Sequence, residues 1–163
     1  MMTIQSEQKI KPETVSMETD RNSREQKGYE GAAKRSGTSI ILFNRSGQVL
    51  LFLRDDKPDI LCPNMWDLPG GHVEEGETPE ACIVREMIEE IETDVSMSRL
   101  HRVYDFPDRT EYVFLMELNA EAANIPLHEG QCLRWFSPDE IPGMDLAFGF
   151  DLVLAEFFAA NGR

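Results

Sequence analysis

The segment Gly71–Thr93, GHVEEGETPEACIVREMIEEIET, follows Gly70 with a dense series of glutamates and a single arginine, Arg85. A solvated helix normally alternates lysines with glutamates so that opposite charges pair at i,i+4, and this segment contains no lysine. Like charges at this density repel one another and weaken a helix. The segment is best explained if divalent cations that carry a phosphorylated substrate lie among the carboxylates.

A helix is predicted from about Pro79 to Ile91. Thr78 can cap its amino terminus, and Pro79 suits the first helical position. Helical spacing predicts one core face, made of Ala81, Val84, Met87, Ile88 and Ile91. It predicts a carboxylate face on the opposite side, made of Glu86, Glu89 and Glu90.

The other elements are predicted from β-rich runs and turn residues. Two strands form a hairpin, and the following glycine pair, Gly70-Gly71, is expected to make a sharp turn. Three further strands and a carboxy-terminal helix follow, with a helical turn at 137–140. The predicted strands are Thr38–Phe43, Gln48–Arg54, Leu100–Phe106, Glu111–Leu118 and Gln131–Phe136, and the helix is Leu146–Ala159. Interleaved strands and helices indicate an α/β fold with a mixed sheet between helices.

The 163 residues suit one domain, which we place at residues 36–163. Residues 1–35 are polar and aperiodic, and we expect a disordered or loosely packed tail. A short helix around Arg24–Lys34 is the alternative. Cys62, Cys82 and Cys132 form no CxxC pair, so neither a zinc site nor a disulfide framework is indicated.

The net charge of −14 argues against binding to a nucleic acid polymer or an anionic membrane. No apolar run is long enough to cross a membrane, and no secretory signal is evident. A cytoplasmic location is therefore the expectation. A homodimer is compatible with the sequence, which does not reveal the oligomeric state.

The spacing of Gly71, Glu77, Arg85-Glu86 and Glu89-Glu90 resembles the signature of the Nudix hydrolase family, the MutT-like pyrophosphohydrolases. The resemblance covers about residues 37–160 and implies an α/β/α sandwich. It also implies hydrolysis of the diphosphate linkage of a nucleoside diphosphate linked to another group, by metal-dependent attack of water on phosphorus. The cofactor would be Mg²⁺ or Mn²⁺, and the partner a small nucleotide or another diphosphate.

The same resemblance implies roles for individual residues. Glu77 and Arg85 would orient the loop and the helix, and Glu89 or Glu129 would activate the water. The metal ligands would be Gly70 through its carbonyl, Glu86, Glu89, Glu90 and Glu129. An ordinary loop acid is the alternative for Glu129.

Four other residues are candidates for binding substrate. Arg54 and Arg109 could contact a phosphate or cover the pocket, although a surface salt bridge and turn chemistry are the alternatives. Trp66 and Phe106 could stack on a base, although core packing is the alternative.

One position departs from the family signature, and other functions stay open. Glu92 stands where the signature has glycine, and a left-handed backbone there would be strained. Two readings compete with the hydrolase: a non-catalytic nucleotide-binding or regulatory module with this fold, and an acidic interaction module.

Overall fold

The computed structural model describes residues 14–16 and 34–162. The strands are β1 Thr14–Ser16, β2 Arg35–Phe43, β3 Val49–Leu53, β4 Trp66–Asp67, β5 Gly70–His72, β6 Arg99–Asp105, β7 Arg109–Glu117 and β8 Cys132–Phe136. The helices are α1 Pro79–Ile91 and α2 Phe150–Ala160, and short 3-10 turns occur at Ala122–Asn124 and Ala147–Gly149.

The described strands form one mixed sheet in the order β1-β6-β7-β2-β3-β4, with β5 paired to β2 and β8 paired to β3. The pairs β1/β6 and β2/β7 are parallel, and the remaining pairs are antiparallel. The predicted β2–β3 hairpin is present, joined through Asn44–Gln48. The first half of β2, at Gly37–Ser39, pairs with β5 and so places the glycine pair in the sheet, whereas the end of β2 pairs with β3.

The two faces of the sheet carry separate hydrophobic cores because strand side chains alternate. Ile40 and Leu42 of β2 pack with α1, whereas Ile41 between them packs with α2. All three side chains are fully buried. The α/β/α sandwich is therefore confirmed, with the sheet between α1 and α2.

Helix α1 has the predicted bounds and the predicted Thr78 cap, whose side chain accepts a hydrogen bond from the amide of Ala81 at 3.2 Å. Its predicted core face was wrong in part. Ile88 is 51% exposed and Ala81 is exposed, whereas Cys82, Ile83, Met87 and Ile91 are buried. Met87 and Ile91 are buried as predicted, and Cys82 is buried as well because α1 also packs against β5, where Cys82 Sγ contacts the His72 carbonyl.

Two other predictions need correction. Gly70-Gly71 does not form a turn but lies in β5, because the pair is hydrogen-bonded to β2. The carboxy-terminal helix begins at Phe150 and not at Leu146, because Phe148 has a left-handed backbone, φ 55°, that interrupts it. The turn predicted at residues 137–140, by contrast, is present, and a hydrogen bond from the Glu140 amide to the Ser137 carbonyl closes it.

Part of the predicted amino-terminal tail joins the sheet. Thr14–Ser16 pairs with β6 as β1, and β2 begins at Arg35. The rest of the tail, including residues 24–33 of the alternative helix, lies outside the described residues. None of the helices in the described ranges is long and apolar enough to span a bilayer. The expected domain boundary, cytoplasmic location and homodimer stay predictions.

Candidate functional site

A cleft with a volume of about 810 Å³ opens where β2, β3, β5 and α1 meet the loops beside them. Acidic and basic side chains both line it. The acids that line it include Asp67, Glu86, Glu90, Glu111 and Glu129, and the bases include Arg54, Lys57 and Arg109. The cleft therefore gathers charges that lie far apart in the sequence.

Gly70 lets β5 lie directly against β2, and Gly71 leaves room for the Glu86 side chain of α1. A Cβ added to Gly70, whose φ is 155°, would be 2.0 Å from the Thr38 carbonyl oxygen. A Cβ added to Gly71 would be 2.1 Å from Cδ of Glu86. Neither separation is sterically allowed, so the carboxylate of Glu86 can lie beside β5 only because glycine is there.

Arg85 ties helix α1 to the loop that precedes it. Its guanidinium donates to both carboxylate oxygens of Glu77, at 2.9 and 3.0 Å, and to Glu86 Oε1 at 2.9 Å. It also donates to the carbonyl of His72 in β5, at 3.2 Å. The hydrogen bonds from Arg85 lower the pKa of Glu77 to about 2. This bidentate pairing fixes the loop, the helix and β5 relative to one another.

Glu90 is the acid of α1 that lies deepest, with 9% of its surface exposed. Burial raises its pKa to about 8, and the nearby charges of Glu86 and Glu129 add to the effect. A hydrogen bond from the Gly70 amide acts in the opposite direction. Within residues 14–16 and 34–162, no cationic side chain forms an ion pair with Glu90. A buried carboxyl in such surroundings loses its charge unless a cation compensates it.

Glu89 differs from Glu86 and Glu90 in its position. Its side chain is 61% exposed, pairs with Arg85 at 3.3 Å and does not line the cleft. The prediction that Glu86, Glu89 and Glu90 share one face opposite the core was therefore wrong for Glu90, which is buried. Glu90 points inward, Glu86 is half-buried against Gly71, and Glu89 faces outward.

Glu129 reaches the cleft from the loop before β8. The amide of His128 donates to the Glu90 carbonyl at 2.8 Å, and the amide of Gln131 donates to the Leu53 carbonyl at 2.8 Å. Gly130 between them has a φ of 88°, and a Cβ there would be 2.7 Å from the Leu53 carbonyl oxygen. Glu129 is thus held between the end of α1 and the end of β3.

The ligand-type side chains do not form a closed metal cage. Among the residues that the structure describes, no three acidic, histidine or cysteine side chains are arranged so that they could enclose an ion. Glu86 is engaged by Arg85, and Gly70, whose carbonyl is the other predicted ligand, lines the cleft nearby. The metal assignment therefore depends on donor chemistry and on the burial of Glu90.

Two buried acids on the strand side of the cleft were missed from the sequence. Asp67 accepts from Arg54 at 2.9 Å, and Glu111 accepts from Arg109 at 2.8 Å and from the Ser39 hydroxyl. Burial raises the pKa of Asp67 to about 7 and also raises that of Glu111. Asp67 Oδ1 is buried without a hydrogen-bond partner among the described residues. The sequence signal that could have identified both acids is their position next to apolar residues in or beside predicted strands.

Phe148 is an aromatic side chain at the cleft that was not predicted from the sequence, and Phe52 and Phe150, which also line the cleft, are more deeply buried. Its ring lies 4.9 Å from the Arg54 guanidinium and 5.5 Å from that of Arg109. Its carbonyl accepts from Arg109 at 2.8 Å, which holds the left-handed turn in place.

The predicted stacking residues lie elsewhere. Phe106 is 3% exposed in the α2 core, under the guanidinium of Arg109 at 4.2 Å. Trp66 packs edge-on against Phe136 at 4.7 Å. Neither ring lines the cleft, which favours the alternative of core packing for both, whereas Arg54 and Arg109 do line it.

Comparison with known proteins agrees with this geometry. Residues 33–159 match the model of the NUDIX domain family. A Bacillus subtilis (strain 168) protein named "Putative 8-oxo-dGTP diphosphatase" is 34% identical over 108 residues, which are 65% of this chain and 68% of that protein. An RNA pyrophosphohydrolase of Gluconobacter oxydans (strain 621H) is 29% identical over 136 residues, 70% of this chain and 78% of that protein.

A solved structure has the same fold. The MutT protein from Methanosarcina mazei Go1 superposes with a TM-score of 0.64 at 21% identity, covering 82% of this chain and 99% of that one. With the family match over most of the chain, the glycine pair against α1 and the Arg85–Glu77 pairing, the chain belongs to the Nudix hydrolase family.

Proposed function

We propose that this Nudix hydrolase uses Mg²⁺ or Mn²⁺ to cleave the diphosphate linkage of a nucleoside diphosphate joined to another group. The observation that carries the proposal is Glu90, a buried acid beside Glu86 and Glu129 with no cationic partner in the described part of the chain. A divalent cation at this end of the cleft supplies the missing positive charge.

The residues present fit such a cation chemically. Carboxylate and carbonyl oxygens are the donors that Mg²⁺ and Mn²⁺ prefer. Glu86, Glu90, Glu129 and the carbonyl of Gly70 would hold the ion, and Gly71 leaves room for the Glu86 carboxylate. Glu89 is the weakest member of the predicted set because it pairs with Arg85 outside the cleft and does not line it.

A bound divalent cation supplies Lewis acidity toward phosphate oxygens and lowers the pKa of coordinated water. Residues of the chain itself position the site and take up the proton of the attacking water. Arg85 and Glu77 keep α1 and the preceding loop in fixed positions. Glu129 is the proposed general base, since it lines the cleft and the alternative, Glu89, does not.

The other end of the cleft fits the nucleoside part of the substrate. Phe148 offers an aromatic ring for a base, and the guanidiniums of Arg54 and Arg109 lie near that ring, at 4.9 and 5.5 Å from its centroid. Both arginines already pair with buried acids, which leaves them as supports for Phe148 more than as free phosphate ligands. Phe148 thus replaces Trp66 and Phe106 as the proposed stacking residue.

The substrate is proposed as a class. The names of the two relatives favour an oxidised purine nucleoside triphosphate and the 5′ end of an RNA as the first compounds to test. The net charge of −14 favours the small nucleotide, because it repels a polyanionic chain.

The test is release of phosphate products with Mg²⁺ or Mn²⁺ across a substrate panel. The panel contains ordinary and oxidised nucleoside triphosphates, nucleotide sugars, ADP-ribose, dinucleoside polyphosphates and a 5′-triphosphorylated RNA. We expect turnover of one class that is lost with a chelator and in Glu90→Gln. Glu121→Gln, which removes the same charge from an exposed position, is the matched control and should stay active.

The same assay separates the hydrolase from the nucleotide-binding module. Metal-dependent binding of a nucleotide without turnover of any member of the panel would favour the module. Nucleotide binding that does not depend on metal, again without turnover, would contradict both readings.

A further inference from the structure

Glu92, which replaces the glycine of the family signature, ends helix α1 in the left-handed conformation. Its φ and ψ are 50° and 33°. Its amide donates to the Ile88 carbonyl at 3.2 Å, and the amide of Thr93 donates to the Met87 carbonyl at 3.1 Å. Glycine adopts this conformation without strain and glutamate does not. A strained residue persists where the surroundings hold it, and such residues concentrate at functional sites.

Among the residues that the structure describes, the side chain of Glu92 has one hydrogen-bond partner, His128, which lines the cleft. Nε2 of His128 donates to Glu92 Oε1 at 2.7 Å. The main-chain amide of the same histidine donates to the Glu90 carbonyl at 2.8 Å. The end of α1 therefore holds His128 by its backbone and by its side chain, and the next residue is Glu129.

The pair does not serve stability to any large extent. Both side chains are more than half exposed, at 52% and 58%. Exposed pairs of this kind contribute little to the free energy of unfolding, and left-handed glutamate opposes folding. The contact is better explained by what it positions.

The other side of Glu129 is fixed independently. Beyond Gly130, the Gln131 side chain donates to the Arg54 carbonyl at 2.7 Å and to Asn64 at 3.0 Å. The loop is thus anchored to β3 on one side and to α1 on the other. Within the described residues, the Glu92–His128 contact is the side-chain link on the α1 side.

We propose that Glu92 is a positioning residue, which acts through His128 to hold Glu129 toward the cleft. This inference rests on the proposed function of Glu129. Glu92 itself lies outside the cleft lining, so it is not expected to touch substrate. Its carboxylate fixes the loop that carries the general base.

The test compares Glu92→Gly with Glu92→Gln in the full chain. The glycine variant loses the contact and relieves the backbone strain, whereas glutamine keeps an acceptor for His128 and keeps the strain. We expect kcat of Glu92→Gly to fall about tenfold, as for other outer-shell partners, with KM within twofold and no decrease in Tm. Glu92→Gln should keep kcat within about threefold of the parent, and Glu121→Gln is the charge control.

The two ideas fail in different ways. If Glu129→Gln loses activity while Glu92→Gly stays fully active, the positioning role is overturned and the proposed function stands. A Tm that falls together with kcat in Glu92→Gly would also overturn it, because glutamate would then serve only the helix end. Full activity of Glu129→Gln would remove the proposed role of Glu129 and this inference together.

Discussion

The cleft has two sets of acids that differ in how their charge is compensated. On the strand side, Asp67 and Glu111 are almost completely buried, and each pairs with one arginine. On the helix side, Glu90 is buried nearly as deeply and has no cationic partner in the described part of the chain. Burial is the largest cause of the raised pKa in all three residues.

The difference supports the proposal that the cation binds at the helix-side end of the cleft. A buried charge without a partner is costly, and proteins normally provide one. The strand-side arginines are permanent parts of the fold, and they also hold Phe148. The helix side keeps its acids together next to Gly70, where a metal ion with its phosphates would supply the charge.

Removing the unpaired acid should have the largest effect on activity. We expect Glu90→Gln to lower kcat by about a thousandfold, because metal ions contribute several kcal/mol of transition-state stabilisation. The fold should persist, since a neutral amide replaces a carboxyl that burial already disfavours as an anion. Steady-state kinetics and circular dichroism check this. Full activity of Glu90→Gln would end the metal assignment.

Breaking a paired acid should instead affect stability. Arg54→Met leaves Asp67 buried without its cation, and we expect the free energy of unfolding to fall by about 3 kcal/mol. The double variant Arg54→Met/Asp67→Asn should recover more than half of that loss. Urea denaturation at pH 8 measures both. A loss below about 1 kcal/mol for Arg54→Met would mean that Arg54 does not compensate the charge of buried Asp67.

The pH dependence of stability should separate the two sets. Glu90 has a pKa of about 8 in the folded chain and 4.5 as its ordinary value, so the folded state binds more protons between these values. Its stabilising contribution is complete below about pH 4.5 and is lost as the pH rises through 8.

Without added metal, the protein should therefore lose stability as the pH rises from 6 to 8, the upper part of the window between 4.5 and 8, by roughly 1 to 3 kcal/mol. Glu90→Gln should flatten much of this slope, and the remainder belongs to Asp67, whose pKa is about 7, and to Glu111, whose pKa burial also raises. Urea denaturation across this pH range provides the measurement. An equal slope in Glu90→Gln and the parent would assign the titration elsewhere.

The smallest expected effect concerns the aromatic residue between the strand-side arginines. Phe148→Ala should raise KM for the preferred nucleotide about tenfold, the equivalent of one stacked base, with kcat changed less. Phe106→Leu, a change in the buried ring, is the contrast and should lower Tm while leaving KM near the parent value. An unchanged KM in Phe148→Ala would remove Phe148 from the substrate site.

Local signals explain what could be predicted from the sequence. Thr78, Pro79 and the apolar spacing define α1 within the residues themselves, so its bounds were correct. The hairpin and the α/β/α layers follow in the same way from alternation and turn residues. These features depend on residues that are close together in the chain, so a single sequence contains the information that predicts them.

The parts that were missed depend on contacts between distant segments. Glu90 is buried because β5 pairs with β2 and lies against α1, which helical periodicity alone does not show. Asp67 and Glu111 are compensated by arginines whose positions depend on the whole sheet. Phe148 reaches the cleft through a left-handed backbone that its sequence does not favour.

The most direct test of the central claim is a Mn²⁺ titration followed by electron paramagnetic resonance, without nucleotide, at pH 8. The parent protein should bind Mn²⁺ at a saturable site, Glu90→Gln should bind it at least about tenfold more weakly, and Arg54→Met should bind it as the parent does. Equal binding by the parent and Glu90→Gln would contradict the claim that the unpaired acids of the helix side hold the metal.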